Sequence, residues 1–195
     1  MLKPAEVPSV FGSAASHEFS KKSSSYAKTI DLCTDSKGRP MASSVAPTPQ
    51  YSSRVTMKPL KKEAFITVSE RVFVYPSTEA AAAAYATLAQ QVAACIGTTS
   101  TPAGEDPKVV DSYANGSATA GPYPSFWVQD KTTFDSTDAL QDGSTVAFTV
   151  YSQAGDAVIQ TEGYADGKRR MTASESAAVQ QLAMVLSAKW ASPPQ

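Results

Sequence analysis

Phe65-Ile66-Thr67-Val68-Ser69-Glu70-Arg71-Val72-Phe73-Val74-Tyr75, followed at once by Pro76-Ser77-Thr78-Glu79-Ala80, decides how this chain is read. The first run is rich in β-branched and aromatic residues and reads as a strand. One of its faces carries Ile66, Val68, Val72 and Val74, interrupted by Glu70. The other carries Phe65, Thr67, Ser69, Arg71, Phe73 and Tyr75. The second run starts a helix. Ser77 suits the N-cap, Glu79 complements the dipole in the first turn, and the alanines that follow have the highest helix propensity. Tyr85, Leu88, Val92 and Cys95 then share one helical face, and Gly97 ends the element.

Downstream, a Thr/Pro/Gly linker (98–107) leads to strands near 108–114, 124–133, 144–152 and 157–163. Gly121-Pro122 and Asp142-Gly143 mark turns, Ala154-Gly155-Asp156 makes a hairpin, and Asp166-Gly167 closes the sheet. A last helix spans about 173–190, with Ala178, Leu182, Val185 and Leu186 on one face, before a frayed tail at 192–195. Upstream, Lys3 to Gly12 reads as a short helix, with Pro4 in its first turn and Gly12 at its C′ position. Residues 13–50, rich in Ser, Pro and Lys, read as a long loop with one short strand near Tyr26–Leu32. The expectation is a single α+β domain over 1–195. Its sheet is mostly antiparallel, of about five or six strands, with helices packed on one face and room for a cleft on the other.

Composition narrows the class. The chain has 195 residues and a formal net charge of −1, with no apolar run long enough to cross a membrane as a helix. Leu, Ile, Val and Phe number only 34, but 31 alanines supply a small-residue core. The near-neutral balance argues against a nucleic-acid partner. Ser and Thr total 43, and charged residues make up 18%, the composition of an exported protein from a high-GC bacterium. The opening Met1-Leu2-Lys3-Pro4 has no signal-peptide core. Whether Met1 is a native start therefore bears on the compartment. Charge is uneven along the chain: residues 1–62 carry 10 Lys/Arg against 4 Asp/Glu, and 63–195 carry 7 against 14.

Chemistry-bearing motifs are few. His17 is the sole histidine and has no nucleophile motif beside it. Two cysteines and one histidine cannot supply four soft metal ligands. Phosphate-cradling glycine patterns are absent, and nothing implies a cofactor. Carboxylates are numerous between Glu105 and Asp156, but no spacing sets two of them as a catalytic pair. Asn115-Gly116-Ser117 fits a glycosylation sequon, read here as a chance match in a Gly/Ser turn. Cys33 and Cys95 are either two buried free thiols or one disulfide. A bridge closing about 60 residues would stabilise by about 4 kcal/mol in the chain-entropy account.

Strand faces supply the candidate site. Val146, Phe148 and Val150 oppose Thr145, Ala147, Thr149 and Tyr151, and Phe126 and Val128 oppose Trp127, Gln129 and Lys131. Grouping the mixed sets puts Arg71, Tyr75, Trp127, Gln129 and Tyr151 on one surface. There the aromatics would stack against a ligand, with Arg71 as an anion contact.

The stretch Leu2-Lys3-Pro4-Ala5-Glu6-Val7-Pro8-Ser9-Val10-Phe11-Gly12 resembles the first helix of the PknH-like extracellular sensor domains. These occur outside a mycobacterial receptor Ser/Thr kinase and in actinobacterial lipoproteins. Val72-Phe73-Val74-Tyr75-Pro76-Ser77-Thr78-Glu79-Ala80, running to Gln90-Gln91-Val92-Ala93-Ala94-Cys95, is similar to that family's strand, helix start and helix ending in "Q-x-x-x-C". Val92 stands where members often have Trp, and no cysteine follows Cys95 to make the kinase domain's second disulfide. Cys33 stands roughly where the family places the partner of the helix cysteine.

The resemblance implies an extracytoplasmic domain that binds an unidentified ligand without catalysis, and so a Cys33–Cys95 disulfide. On this reading the chain is the soluble part of a cell-envelope lipoprotein or receptor, with an anchor upstream and a small molecule or envelope polymer as partner. The alternatives are an envelope interaction module using the basic N-terminal lobe, or a carboxylate-dependent hydrolase.

Overall fold

The computed structural model describes residues 1–11, 17–24, 31–34, 40–42, 51–59, 66–94, 97–100, 108–118, 121–135, 143–165 and 171–191. Ten strands are described in chain order. They are β1 (His17–Ser24), β2 (Asp31–Thr34), β3 (Pro40–Ala42), β4 (Tyr51–Pro59), β5 (Ile66–Val74), β6 (Gly97–Ser100), β7 (Lys108–Ser117), β8 (Ser125–Asp135), β9 (Gly143–Ala154) and β10 (Ala157–Ala165). Helix α1 (Thr78–Ala94) follows β5, and α2 (Ala173–Ala191) follows β10. Eight strands form one sheet in the order β1-β4-β5-β10-β9-β8-β7-β6, and every neighbouring pair is antiparallel. The α+β class and the antiparallel sheet therefore stand. The five central strands, β5, β10, β9, β8 and β7, are those the sequence marked.

Both helices begin at the caps their sequences provide. Ala80 N–H donates to Ser77 Oγ at 3.2 Å, starting α1. At α2, Thr172 and Glu175 make a reciprocal capping box, with Thr172 N–H to Glu175 Oε2 at 2.8 Å and Glu175 N–H to Thr172 Oγ1 at 3.3 Å. Asn115 Nδ2 donates to Val92 O at 2.9 Å, satisfying a carbonyl in the last turn of α1. The sequon asparagine thus has a structural use within β7.

The helices do not share a face, contrary to expectation. Ala81, Ala84, Leu88 and Val92 of α1 cover Phe73, Tyr75, Val158, Tyr151, Phe126 and Val128. Ala178, Val179, Leu182, Ala183 and Leu186 of α2 cover Ile66, Val68, Val72, Val150 and Ile159 on the opposite side. The reason is periodicity: side chains alternate along a strand, and both parities of β5, β9 and β10 are apolar where the helices cross. Val185 lies outside the buried arc of α2 and is 47% exposed. Ser152 and Ser187, both fully buried, bond each other at 2.6 Å, and the Ser187 hydroxyl also reaches Ala183 O.

The first eleven residues form two 3₁₀ turns, Pro4–Glu6 and Ser9–Phe11, not one helix. Pro8 has no N–H to give and interrupts any continuous helical ladder. This segment docks on the α2 side through Leu2 and Phe11. Leu2 N–H donates to the Glu70 carboxylate, Glu6 pairs with Lys189, and Lys189 also reaches Met1 O. Glu70, the polar interruption in its strand face, is 1% exposed. Burial pushes its carboxyl up, opposed by the Leu2 hydrogen bond.

The supposed loop at 13–50 contains β1, β2 and β3, and β4 and β6 were likewise unmarked. β2, which contains Cys33, lies against α1. Cys95, and with it the disulfide expectation, lies outside the described residues. So does most of the strand expected near 26–32.

Gly163 sets the approach of α2. A Cβ there would meet Val179 Cγ2 at 2.8 Å and Met171 Cε at 3.0 Å. Gly163→Ala is therefore expected to destabilise the fold by about 1–3 kcal/mol, the usual cost of overpacking. A urea unfolding midpoint unchanged by the substitution would show looser packing than described.

Candidate functional site

Helix α1 covers only one end of its side of the sheet. Beyond Phe73, Tyr151 and Phe126 the same face continues as polar residues, because each strand keeps its parity. β5 contributes Ser69 and Arg71, β10 Gln160 and Glu162, β9 Thr149, β8 Asp130 and Thr132, and β7 Asp111. This polar flank lies beside an aromatic margin. Tyr85 of α1 meets Phe126 at 5.3 Å between ring centroids, and Phe126 stacks on Tyr151 at 5.2 Å.

Within the flank, Ser69 Oγ donates to Glu162 Oε1 at 3.3 Å, and Thr132 Oγ1 donates to Asp111 Oδ1 at 2.7 Å. Ser69 and Thr149 are buried, whereas Arg71, Gln160, Glu162 and Asp130 are half-buried. The Arg71 guanidinium carbon stands 5.6 Å from the Phe73 ring centroid, a cation–π placement that orients the fork. Burial, with the nearby Asp111 charge in support, pushes the Asp130 carboxyl up to about 6. Asp130 Oδ1 is buried with no hydrogen-bond partner. The chemistry on offer is thus one oriented cation, amide and hydroxyl groups, and a carboxylate poised to change charge. Among the described residues no three His, Cys, Asp or Glu side chains converge as a metal-binding group.

The five residues expected to form one surface are divided between two. Arg71, Tyr75 and Tyr151 lie on the α1 side, but Trp127 pairs with Val150 and Gln129 with Phe148, which places both on the α2 side. There Trp127 stacks on Phe148 at 5.5 Å and its indole occupies the space over Gly116. Tyr75 and Tyr151 are each 3% exposed and pack beneath α1 as core, not as ligand walls. Burial alone pushes the Tyr75 hydroxyl up to about 12. Of the five, only Arg71 reaches the polar flank. Sequence reading missed Ser69, Gln160, Glu162, Thr149 and Asp130. The signal available was the parity of Arg71 carried across the sheet, which needs the register of β5 on β10.

No family model matches the chain. No curated protein matches it either. Among solved structures, the chain is similar to the crystal structure of the extracellular domain of PknH from Mycobacterium tuberculosis. The TM-score is 0.62 at 14% identity, covering 97% of this chain and 93% of that one. The likeness is one of fold, and it extends over nearly the whole of both chains.

Asp130 gives the flank a pH signature. Its folded-state pKa lies above the ordinary carboxylate value, so between about pH 4 and 6 the folded state holds more protons than the unfolded one. Its contribution to stability is therefore expected to fall as pH rises through that window. Asp130→Asn should remove this part of the slope in unfolding curves taken across it. An identical slope in both proteins would place the Asp130 carboxyl in water.

Proposed function

We propose that the protein is an extracytoplasmic, sensor-like domain that binds a polar ligand on the flank beside α1 and acts by recognition, not catalysis. The observation that carries this reading is the polar flank itself. It pairs an oriented Arg71 with buried hydroxyls and half-buried Gln160 and Glu162, beside an aromatic margin. Such a surface, apolar at one edge with a few fixed polar groups, suits a small molecule or an envelope-polymer fragment. The fold shared with the PknH extracellular domain supports the sensor reading and the compartment. No helix among the described residues is long and apolar enough to cross a membrane. The proposal includes membership of the sensor family that the sequence resembles, and tethering of the domain to the envelope as part of a lipoprotein or receptor.

A Cys33–Cys95 bridge belongs to the same reading. Its support is that β2, which contains Cys33, lies against α1, whose end precedes Cys95. The bridge would fasten the β2 segment to the end of α1.

The test is a thermal-shift panel of charged and polar envelope metabolites and glycan fragments, using protein whose two cysteines resist alkylation until reduced. At least one compound is expected to raise Tm, and Arg71→Gln and Gln160→Ala should each weaken that response by about tenfold in concentration. Trp127→Phe should leave it unchanged. The compound should be recovered chemically intact, since turnover that Asp130→Asn abolishes would instead favour acid–base catalysis by the Asp111–Asp130 pair. A response lost with Trp127→Phe and kept with Arg71→Gln would overturn the assignment of the face.

A further inference from the structure

Asp130 is a carboxylate without a counterion. Its Oδ1 is buried with no hydrogen-bond partner, and among the described residues no other hydrogen bond or ion pair reaches its side chain. Asp111, diagonal to it on β7, adds a like charge, and Thr132 already donates to the Asp111 Oδ1. Among the described side chains of the five central strands, Arg71 is the one cation on the α1 side, since Lys131 shares the parity of Trp127. Helix α1 carries no Lys or Arg. Arg71 is in register with Gln160, Tyr151 and Phe126, which places it about 20 Å from Asp130 at ordinary strand spacings. A half-buried carboxylate left unpaired is costly, and the positive partner that would offset it has to come from outside the chain.

The surroundings of Asp130 define what that partner can be. The register sets Tyr164, Ala147, Asp130 and Tyr113 in one row across β10, β9, β8 and β7. All four are half-buried. Ala147 is the one small side chain among them. Tyr164 and Asp130 stand about 10 Å apart across it, so the row has a gap floored by a methyl group. Glu162, diagonal to Ala147 on β10, adds a second carboxylate, and Thr149 beside it adds a hydroxyl. Aromatic ring faces attract cations, and the carboxylates supply the countercharge. An anion would meet Asp130, Asp111 and Glu162 together and be repelled. A bare metal ion is disfavoured for a different reason: among the described residues no three such side chains converge on one point.

We propose that the gap over Ala147, between Tyr164 and Asp130, is a binding site for an organic ammonium group of the ligand. This deepens the reading of the flank as the ligand site and rests on it. The ammonium group sits at the end of the flank away from α1, and Arg71 serves a separate part of the same surface.

Isothermal titration with choline, and with its neutral isostere 3,3-dimethylbutan-1-ol, tests the site. Choline is expected to bind at least about tenfold more tightly than the isostere. Asp130→Asn and Tyr164→Leu should each weaken choline binding by about tenfold, and Ala147→Leu should abolish it by filling the gap. Lys131→Gln on the opposite face should change nothing. Because the Asp130 carboxyl is pushed up to about 6, choline binding should strengthen as pH rises through that value, and Asp130→Asn should flatten this dependence. The other ionisable groups facing Asp130 are Asp111, Glu162, Tyr113 and Tyr164, while α1 carries only Glu79 and Tyr85, the latter against Phe126. Thermal melts of each variant show whether it folds, and Asp130→Asn, which conserves shape, decides the matter if Ala147→Leu does not. Absence of choline binding, equal binding of the isostere, or binding indifferent to Asp130→Asn would overturn the site. If a panel compound still depended on Arg71 while choline did not bind, the flank would remain the ligand site and only the ammonium assignment would fail. Choline binding as expected, with no panel response dependent on Arg71, would retain the ammonium site and remove Arg71 from the reading of the flank.

Discussion

Strands β9 and β10 are covered on both faces, and this burial fixes the rest of the molecule. Ala157, Val158 and Ile159 are consecutive residues whose side chains alternate between α1 and α2, yet none is exposed. A slip of one residue would exchange the two inner faces and set the bulk of one against the contour of the other. The fit against α2 also depends on small residues. Gly163 admits Val179, and the Ser152 and Ser187 hydroxyls meet at 2.6 Å. Each large aliphatic side chain so enclosed contributes about 1.5–3 kcal/mol, which makes this sandwiched centre the main source of stability.

The same constraint produces the polar flank. Helix α1 runs from the end of β5 at the centre of the sheet to β6 at its edge. It covers the end of the sheet bearing Phe73, Tyr151 and Phe126. Where the helix no longer lies above the strands, the strands remain rigid but their outward residues need not be apolar. Rigid strands carrying exchangeable polar residues beside a fixed helix provide a preorganised surface. The α2 side has less of this freedom, because the N-terminal segment also packs there, anchored by Leu2, Phe11 and the bond to Glu70.

Much of this was legible in the sequence, and the misses have physical causes. Ser77 announced α1, since a cap is a local signal, and α2 was marked by its apolar residues at helical spacing. Gly155, at a positive φ of 56°, and the β9–β10 hairpin were equally local. β1, His17-Glu18-Phe19-Ser20-Lys21-Lys22-Ser23-Ser24, read as loop because an edge strand needs few apolar residues and carries lysines that discourage further pairing. Within each strand the two faces were separated correctly. What local pattern could not supply was which face of one strand continues onto which face of the next. Phe126 joins Tyr151, and Trp127 joins Val150 and Phe148, although grouping by chemical character suggests a different match. Register is a non-local property, and the site depends on it.

The central claim, a sheet with a helix on each side that divides its aromatic residues between them, is tested most directly by nuclear Overhauser contacts among side chains in solution. The account predicts contacts from the Trp127 indole to Phe148, and from the Leu88 methyls to Phe73, Tyr151 or Val158, with none joining Trp127 to Tyr151 or Tyr85. Contacts between Trp127 and Tyr151 would put the two residues on one face and contradict both the layering and the placement of the site.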